Sequence, residues 1–284
     1  MWPNLILGGA PKCGTSSLYS WLDRHPDVGS SPAKEPFFFF DTVNRFNAQA
    51  NIHQHGLDAY QQLFKGLEHK KIVFEATAPY LYSKTALEQI PDLPSAPKVL
   101  FLLRDPSARL LSKYRFNRYK LHNPTGEFKA YCSGEGGSFP SGMHVEEGFY
   151  SRYLELWQQR LPKERLRVHL MEEMLRDPQA FMKQLCDWLE ISSVPFDDFA
   201  FERHNETFTT RSGAFHKKAV DWLPLVPSFV REPLARIYRK INAQPLPAVS
   251  QEELALTEEL KAHFASEQAA LAALFPELPL SLWN

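Results

Sequence analysis

Cysteine is scarce in this chain: Cys13, Cys132 and Cys186 are three among 284 residues, far apart and without a C-x-x-C pair. That spacing offers neither a zinc knuckle nor a disulfide framework, and it suits a reducing compartment. An excess of charge of one sign is also missing. Lys and Arg number 32 against 33 Asp and Glu, a formal net charge of −1, and general nucleic-acid binding wants a strong basic surplus. The ten histidines form no H-E-x-x-H pattern, and no metal site is read from them. An apolar strand beginning by about residue 4 leaves no room ahead of it for a signal peptide or membrane anchor, so a soluble cytoplasmic protein is expected. No internal repeat is found.

What is present is enough apolar residue, 44% of the chain, for a substantial core, and one α/β domain over residues 1–284 is the natural expectation. Leu5–Leu7, Ile72–Phe74, Val99–Leu103 and Leu166–Leu170 are continuous apolar runs rather than alternating ones, the pattern of strands buried on both faces. Helix candidates lie between them: Thr15 to Arg24, Lys84 to Ile90, Pro106 to about Lys120, Val145 to Arg160, and Pro178 to Leu189. The alternation predicts a parallel sheet with helices on both faces. Residues 121–142, rich in glycine, read as a long mobile loop. Residues 218–284 read as a helical C-terminal appendage, in which Ser250 with Glu253 forms a capping box and Leu256, Leu260 and Phe264 mark one face.

The most informative stretch is Gly8-Gly9-Ala10-Pro11-Lys12-Cys13-Gly14-Thr15-Ser16-Ser17, directly behind the first apolar run. A strand, a Gly-rich turn and a helix opening Thr-Ser-Ser make an anion cradle, because the backbone can approach a phosphate and the first helical N–H groups point at it. The bland alternative is a glycine turn capped by Thr-Ser in some other α/β protein. Aligned on G-x-x-x-x-G-K-[ST], the loop has Thr15 where the phosphate-gripping Lys should follow, and its lysine is moved back to Lys12.

This rearranged loop resembles the 5′-phosphosulfate loop of sulfotransferases that use PAPS (3′-phosphoadenosine 5′-phosphosulfate). His25-Pro26-Asp27-Val28 followed by Lys34-Glu35-Pro36-Phe37-Phe38-Phe39 is similar to the segment after the first helix in the heparan-sulfate-type branch and its bacterial relatives. Phe74-Glu75-Ala76-Thr77-Ala78-Pro79-Tyr80 is similar to that branch's strand-end Glu motif, and Leu102 to Ser112 to the family's 3′-phosphate motif. A last match runs from Tyr150 to Leu189. The resemblance implies a P-loop-like α/β fold and PAPS as co-substrate with PAP as product, and sulfuryl transfer needs no metal. The acceptor is expected to be a small molecule or saccharide, with saccharide, lipid and natural-product hydroxyls and an amine all open.

Under that resemblance Lys12, Gly14, Thr15, Ser16 and Ser17 hold the phosphosulfate, with Cys13 a small filler in the loop. An ammonium near the bridging oxygen is worth more as the S–O bond breaks than before it. Arg104 ends a buried strand, where ligands of open sheets gather, and its planar fork suits a phosphate monoester; Ser112 adds a hydroxyl. Asp105 has two readings, a Mg²⁺ ligand in a Walker-B-like role or the cap of the helix at Pro106. Glu75 ends another strand and is implied to be the base that takes the acceptor's proton, against a plain reading as a cap or ion-pair partner. His53, His55 and His122 stand next as bases. The family often follows this Glu with Lys-Thr-Pro, whereas Ala76 stands here.

Lys34 and Phe37 are assigned to the acceptor side, although ordinary packing accounts for most of the run Phe37–Phe40. Arg211-Ser212-Gly213 occupies the place of the family's late cofactor loop without its usual wording. The helix after Pro106 carries Arg109, Lys113, Arg115, Arg118 and Lys120, either a track for an anionic glycan or a solvated face. Two rival functions remain at this point, a P-loop phosphotransferase (a kinase) and a non-catalytic nucleotide-binding protein.

Overall fold

The computed structural model describes residues 1–123, 125–134, 143–202, 209–210 and 243–283. Five strands, β1 (Leu5–Gly9), β2 (Val28–Ser30), β3 (Ile72–Ala76), β4 (Lys98–Leu103) and β5 (Leu166–Leu170), join in one sheet in the order β2-β3-β1-β4-β5. Every pairing is parallel, and helices flank the sheet. The inner strands β1 and β3 are buried at all positions, which is why their sequences run apolar without a break. At the edge, β5 exposes Arg167 while burying Leu166, Val168 and Leu170, the alternation of a strand covered on one side only.

From β1 the chain turns through helix Thr15–Leu22 toward β2 and β3 on one side, then recrosses to β4 and β5 on the other. The connections leaving β1 and β4 therefore diverge. In open α/β sheets that switch point opens a crevice at the carboxyl ends of the strands, where ligands bind.

The described chain divides into two compact units. The first, residues 1–109, 147–205 and 262–284, contains the whole five-stranded sheet. Its helix Ala265–Leu274 packs on helix Tyr150–Arg160, where Glu267 accepts from both the N–H and the hydroxyl of Ser151 at 2.7 Å. A helix expected from Val145 to Arg160 is two, Met143–Glu146 and Tyr150–Arg160, interrupted at Gly148. Unexpected from the sequence are β2 and the helices Ile52–Gln62 and Met171–Arg176.

The second unit holds residues 110–146 and 206–261. Helix Pro106–Arg115 runs on into it through a π-helical turn, Phe116–Lys120, closed by the Leu121 N–H on the Phe116 carbonyl at 3.1 Å. Within 121–142 the segment Phe128–Ser133 is helical and ends on Gly134 in the left-handed region, φ 82°. The capping box is formed: Ser250 Oγ accepts from the Glu253 N–H at 3.1 Å, and Glu253 Oε2 from the Ser250 N–H at 2.8 Å. Downstream of it Leu260 and Phe264 are buried and Leu256 is half-buried.

The basic helix is corrected by its partners. Arg109 is 0% exposed and pairs with Glu147 at 3.1 Å within the first unit. Arg115 pairs with Glu253 at 2.7 Å, and Arg118 with Glu127 at 3.0 Å, both in the second. Arg109 and Arg115 are buried against protein carboxylates, so the helix is not a solvated face at those two positions, whereas Arg118 is half-buried and its pair with Glu127 is exposed. Among the described residues no helix is long and apolar enough to cross a membrane.

Candidate active site

The loop after β1 is shaped by three residues in unusual backbone regions. Gly9 has φ 153°, and a Cβ there would stand 2.6 Å from the Ala78 carbonyl oxygen. Gly14 caps helix Thr15–Leu22 from the left-handed region, φ 84°, and a Cβ would meet Met174 at 2.9 Å and Met171 at 3.0 Å. Lys12 also has positive φ, 71°, a conformation uncommon outside glycine. The Ser17 and Leu18 N–H groups bond back to the Gly14 carbonyl at 3.0 and 3.2 Å. The amides ahead of them lie at the helix N-terminus, where backbone N–H groups and the dipole favour an anion. Thr15 and Ser17 are buried, whereas Lys12, Gly14 and Ser16 are half-buried.

Cys13 turns the other way. Its thiol is fully buried, 3.9 Å from the Tyr150 hydroxyl, and burial pushes its pKa up to about 12. Such a thiol is inert near neutrality. Tyr150 also donates to the Arg104 carbonyl at 2.9 Å, so one phenol ties the loop to the end of β4. Arg104 is half-buried there, and Glu172 acts on it electrostatically from helix Met171–Arg176. Asp105 is the helix cap: its carboxylate accepts the Ala108 N–H at 2.8 Å and the Ser107 hydroxyl.

Glu75 lies on β3 as the register partner of Ile6 on β1. Its carboxylate has no exposure, and among the described residues it neither caps a helix nor forms an ion pair. Tyr60 donates to Oε1 at 2.6 Å and Thr77 to Oε2 at 2.8 Å, and the Tyr80 hydroxyl, which accepts from the Phe39 N–H at 3.1 Å, acts on the carboxylate electrostatically. Burial pushes the pKa of Glu75 up to about 7, partly offset by those hydroxyls. A carboxyl that titrates near neutrality suits proton transfer at physiological pH.

Lys34 pairs with Glu35 at 2.9 Å, and the Glu35 N–H bonds to the Ala76 carbonyl, so both sit at the carboxyl end of β3 beside Glu75. Of the aromatic run, Phe38 and Phe39 are fully buried against Tyr60, whereas Phe37 and Phe40 stay half-buried and touch edge to face. His53 and His55 are exposed on helix Ile52–Gln62, bonded to the Phe40 carbonyl and the Asn51 N–H. Ser112 belongs to the second unit and is half-buried. Arg211, Ser212 and Gly213 lie outside the described residues.

The first unit thus brings together the loop Gly9–Ser17, Glu75, Lys34 and Arg104 at the carboxyl ends of neighbouring strands. Sequence reasoning missed Tyr60, Thr77 and Tyr80 around Glu75, Tyr150 behind the loop, and Glu147 beneath Arg109. Only Thr77 carried a signal, a hydroxyl two residues past a strand-end Glu. The second unit has its own cavity of about 450 Å³, lined by Tyr114, Tyr119, Phe128, Glu252 and Glu259 among others. None of the anion-cradle residues borders it.

A family model described as "Sulfotransferase domain" matches residues 3–211. Human heparan sulfate glucosamine 3-O-sulfotransferase 3B1 is 26% identical over 197 residues, 69% of this chain and 48% of that one. Mouse heparan sulfate glucosamine 3-O-sulfotransferase 6 is 24% identical over 249 residues, 84% of this chain and 70% of the other. The chain spans about half the length of the 3A1 and 3B1 glucosamine 3-O-sulfotransferases it matches. A sulfotransferase structure from Alicyclobacillus acidocaldarius is 25% identical with a TM-score of 0.70, covering 100% of this chain and 99% of that one. The sulfotransferase domain from the curacin biosynthetic pathway shares the fold at 17% identity, TM-score 0.52, over 93% of this chain and 98% of that one.

Proposed function

The chain belongs to the sulfotransferase family, and on that premise we propose that it moves a sulfuryl group from PAPS to a hydroxyl of a small-molecule or saccharide acceptor. One observation carries the reading. Three adjacent strands, β3, β1 and β4, end respectively at a buried carboxylate, a glycine-shaped anion cradle and an arginine. The donor set fits the co-substrate: Lys12, three hydroxyls and a helix N-terminus for one anionic group, and the fork of Arg104 for a second. PAPS supplies the sulfuryl group and a leaving nucleotide.

The protein's own residues do the rest. Glu75 accepts the proton of the acceptor hydroxyl as its oxygen bonds to sulfur, and the carboxyl carries that proton when the S–O bond to the nucleotide has broken. Lys12 offsets the charge that grows on the departing oxygen. Arg104 grips the 3′-phosphate and so favours PAPS over nucleotides that lack one. Because Glu75 has no exposure to water, acceptor binding must open a path to it. The names of the curated relatives favour a saccharide hydroxyl as the acceptor. The rival phosphotransferase wants a Lys beside the second loop glycine and a carboxylate for Mg²⁺. Thr15 occupies the first place, and Asp105 is taken up as a helix cap.

Calorimetric titration with PAP and with ATP plus Mg²⁺ tests this reading. Binding of PAP without metal, well ahead of ATP, is expected. Tight Mg²⁺-dependent ATP binding with none of PAP favours the kinase reading.

A further inference from the structure

The side chain closest to the Glu75 carboxylate comes from none of the three strand ends. It is Tyr60, on helix Ile52–Gln62, whose hydroxyl stands 2.6 Å from Oε1. Its ring is fixed by aromatic neighbours on several sides: Phe39 at 4.6 Å, Phe38 at 4.8 Å, Phe64 at 5.1 Å and Trp2 at 6.3 Å between centroids. Tyr60 is itself fully buried, the only buried residue of its helix. Burial and the neighbouring carboxylate hold its hydroxyl proton far from release, so it stays a donor. The helix as a whole is mostly exposed and polar, and its one inward residue ends on the proposed base.

The other groups facing the carboxylate are Thr77 and Tyr80, just past β3, while the charges of Lys34 and Glu35 beside Ala76 pair with each other. An ionised carboxylate has about four lone-pair sites and no proton to give. Two hydroxyl donors, Tyr60 on Oε1 and Thr77 on Oε2, take one site on each oxygen. Both favour the charged form against the cost of burial. A lone pair is left on each oxygen, which is what an incoming hydroxyl needs.

We propose that Tyr60 is a positioning residue for sulfuryl transfer: its hydroxyl holds Glu75 ionised and turned so that a free lone pair meets the acceptor. The inference rests on the reading of Glu75 as the base. Losing this hydrogen bond favours the protonated carboxyl, so the pH at which Glu75 becomes competent rises.

The test uses Tyr60→Phe, which keeps the ring, and the protein with 3-fluorotyrosine at position 60, which keeps the hydroxyl as a stronger donor. Two readouts are taken on PAP-binding protein. Infrared difference spectra against Glu75→Gln follow the carboxyl titration directly. Release of PAP from PAPS, with water as acceptor, gives the pH profile of turnover without knowledge of the natural acceptor.

In Tyr60→Phe the carboxyl midpoint should move up by about one pH unit, since a hydrogen bond to a charged group is worth roughly one to two such units. The acid limb of turnover should follow, a loss of about tenfold below the midpoint that shrinks at high pH. Fluorotyrosine should move both downward. A carboxyl midpoint that moves in neither variant overturns the role of Tyr60. A midpoint that moves while the turnover profile stays fixed overturns Glu75 as the base, leaving the contact but not its part in transfer.

Discussion

Ile6 and Glu75 are register partners on neighbouring parallel strands, so the carboxylate stands one strand across from the run that feeds the anion loop. Its position costs stability. The carboxyl has a pKa of about 7 in the folded protein against an ordinary 4.5, because burial disfavours the charge. Between those values the folded state binds more protons than the unfolded one, so its contribution is complete below pH 4.5 and is lost as the pH rises through about 7. Glu75→Gln should therefore be more stable than the wild type at pH 8, by up to about 3 kcal/mol, and the two should converge toward pH 4.5. Urea unfolding at both pH values checks this. A variant less stable than wild type at pH 8 would show that the hydroxyl cage outweighs the burial penalty.

At the proposed nucleotide site, Arg104→Ala should erase most of the preference for PAP over 5′-AMP, because a charge-assisted contact to phosphate is worth roughly 1.5–3 kcal/mol. Calorimetry with the two nucleotides measures it. Equal affinity of the wild type for PAP and AMP would remove the 3′-phosphate from Arg104.

Lys12→Ala is expected to weaken both PAP binding and turnover, since in the proposed site the ammonium meets the phosphosulfate end before and during bond breaking. The readouts are PAP affinity and PAP release from PAPS. Unchanged turnover with weakened binding would confine Lys12 to holding the ground state.

Away from the reacting groups, Glu147→Ala leaves Arg109 charged with 0% exposure and without its carboxylate partner at 3.1 Å. Removing one member of a buried pair typically costs about 3–5 kcal/mol. Chemical denaturation should show a loss in that range. A loss below about 1 kcal/mol would mean that other groups already compensate the guanidinium.

The strands and the loop were legible because a parallel sheet buried on both faces writes continuous apolar runs, and because Gly9, Lys12 and Gly14 punctuate the turn. The edge strand Val28–Ser30 is three residues long, too short for a pattern. Helix Ile52–Gln62 buries Tyr60 alone and is interrupted by Gly56 at φ 64°, so it has no apolar stripe to find. The cage around Glu75 was hidden with it, since Tyr60 and Glu75 are 15 residues apart and meet only in the fold. Arg109 looked like one of a helix's solvated cations for the same reason. Its carboxylate partner lies 38 residues further on. The residues 211–213 lie outside the described structure, and their part rests on resemblance alone.

The most direct measurement is sulfuryl transfer itself: PAPS is incubated with hydroxyl-bearing metabolite extracts, and products heavier by one sulfuryl group are sought by mass spectrometry. Turnover on the acceptor found is then compared between wild type and Glu75→Gln, with PAP affinity measured alongside. The account predicts a sulfated product that forms together with PAP. It predicts turnover lower by roughly 10²–10⁴ in Glu75→Gln with PAP affinity nearly unchanged, the signature of a lost general base. Near-normal turnover of that variant on an aliphatic hydroxyl would contradict it.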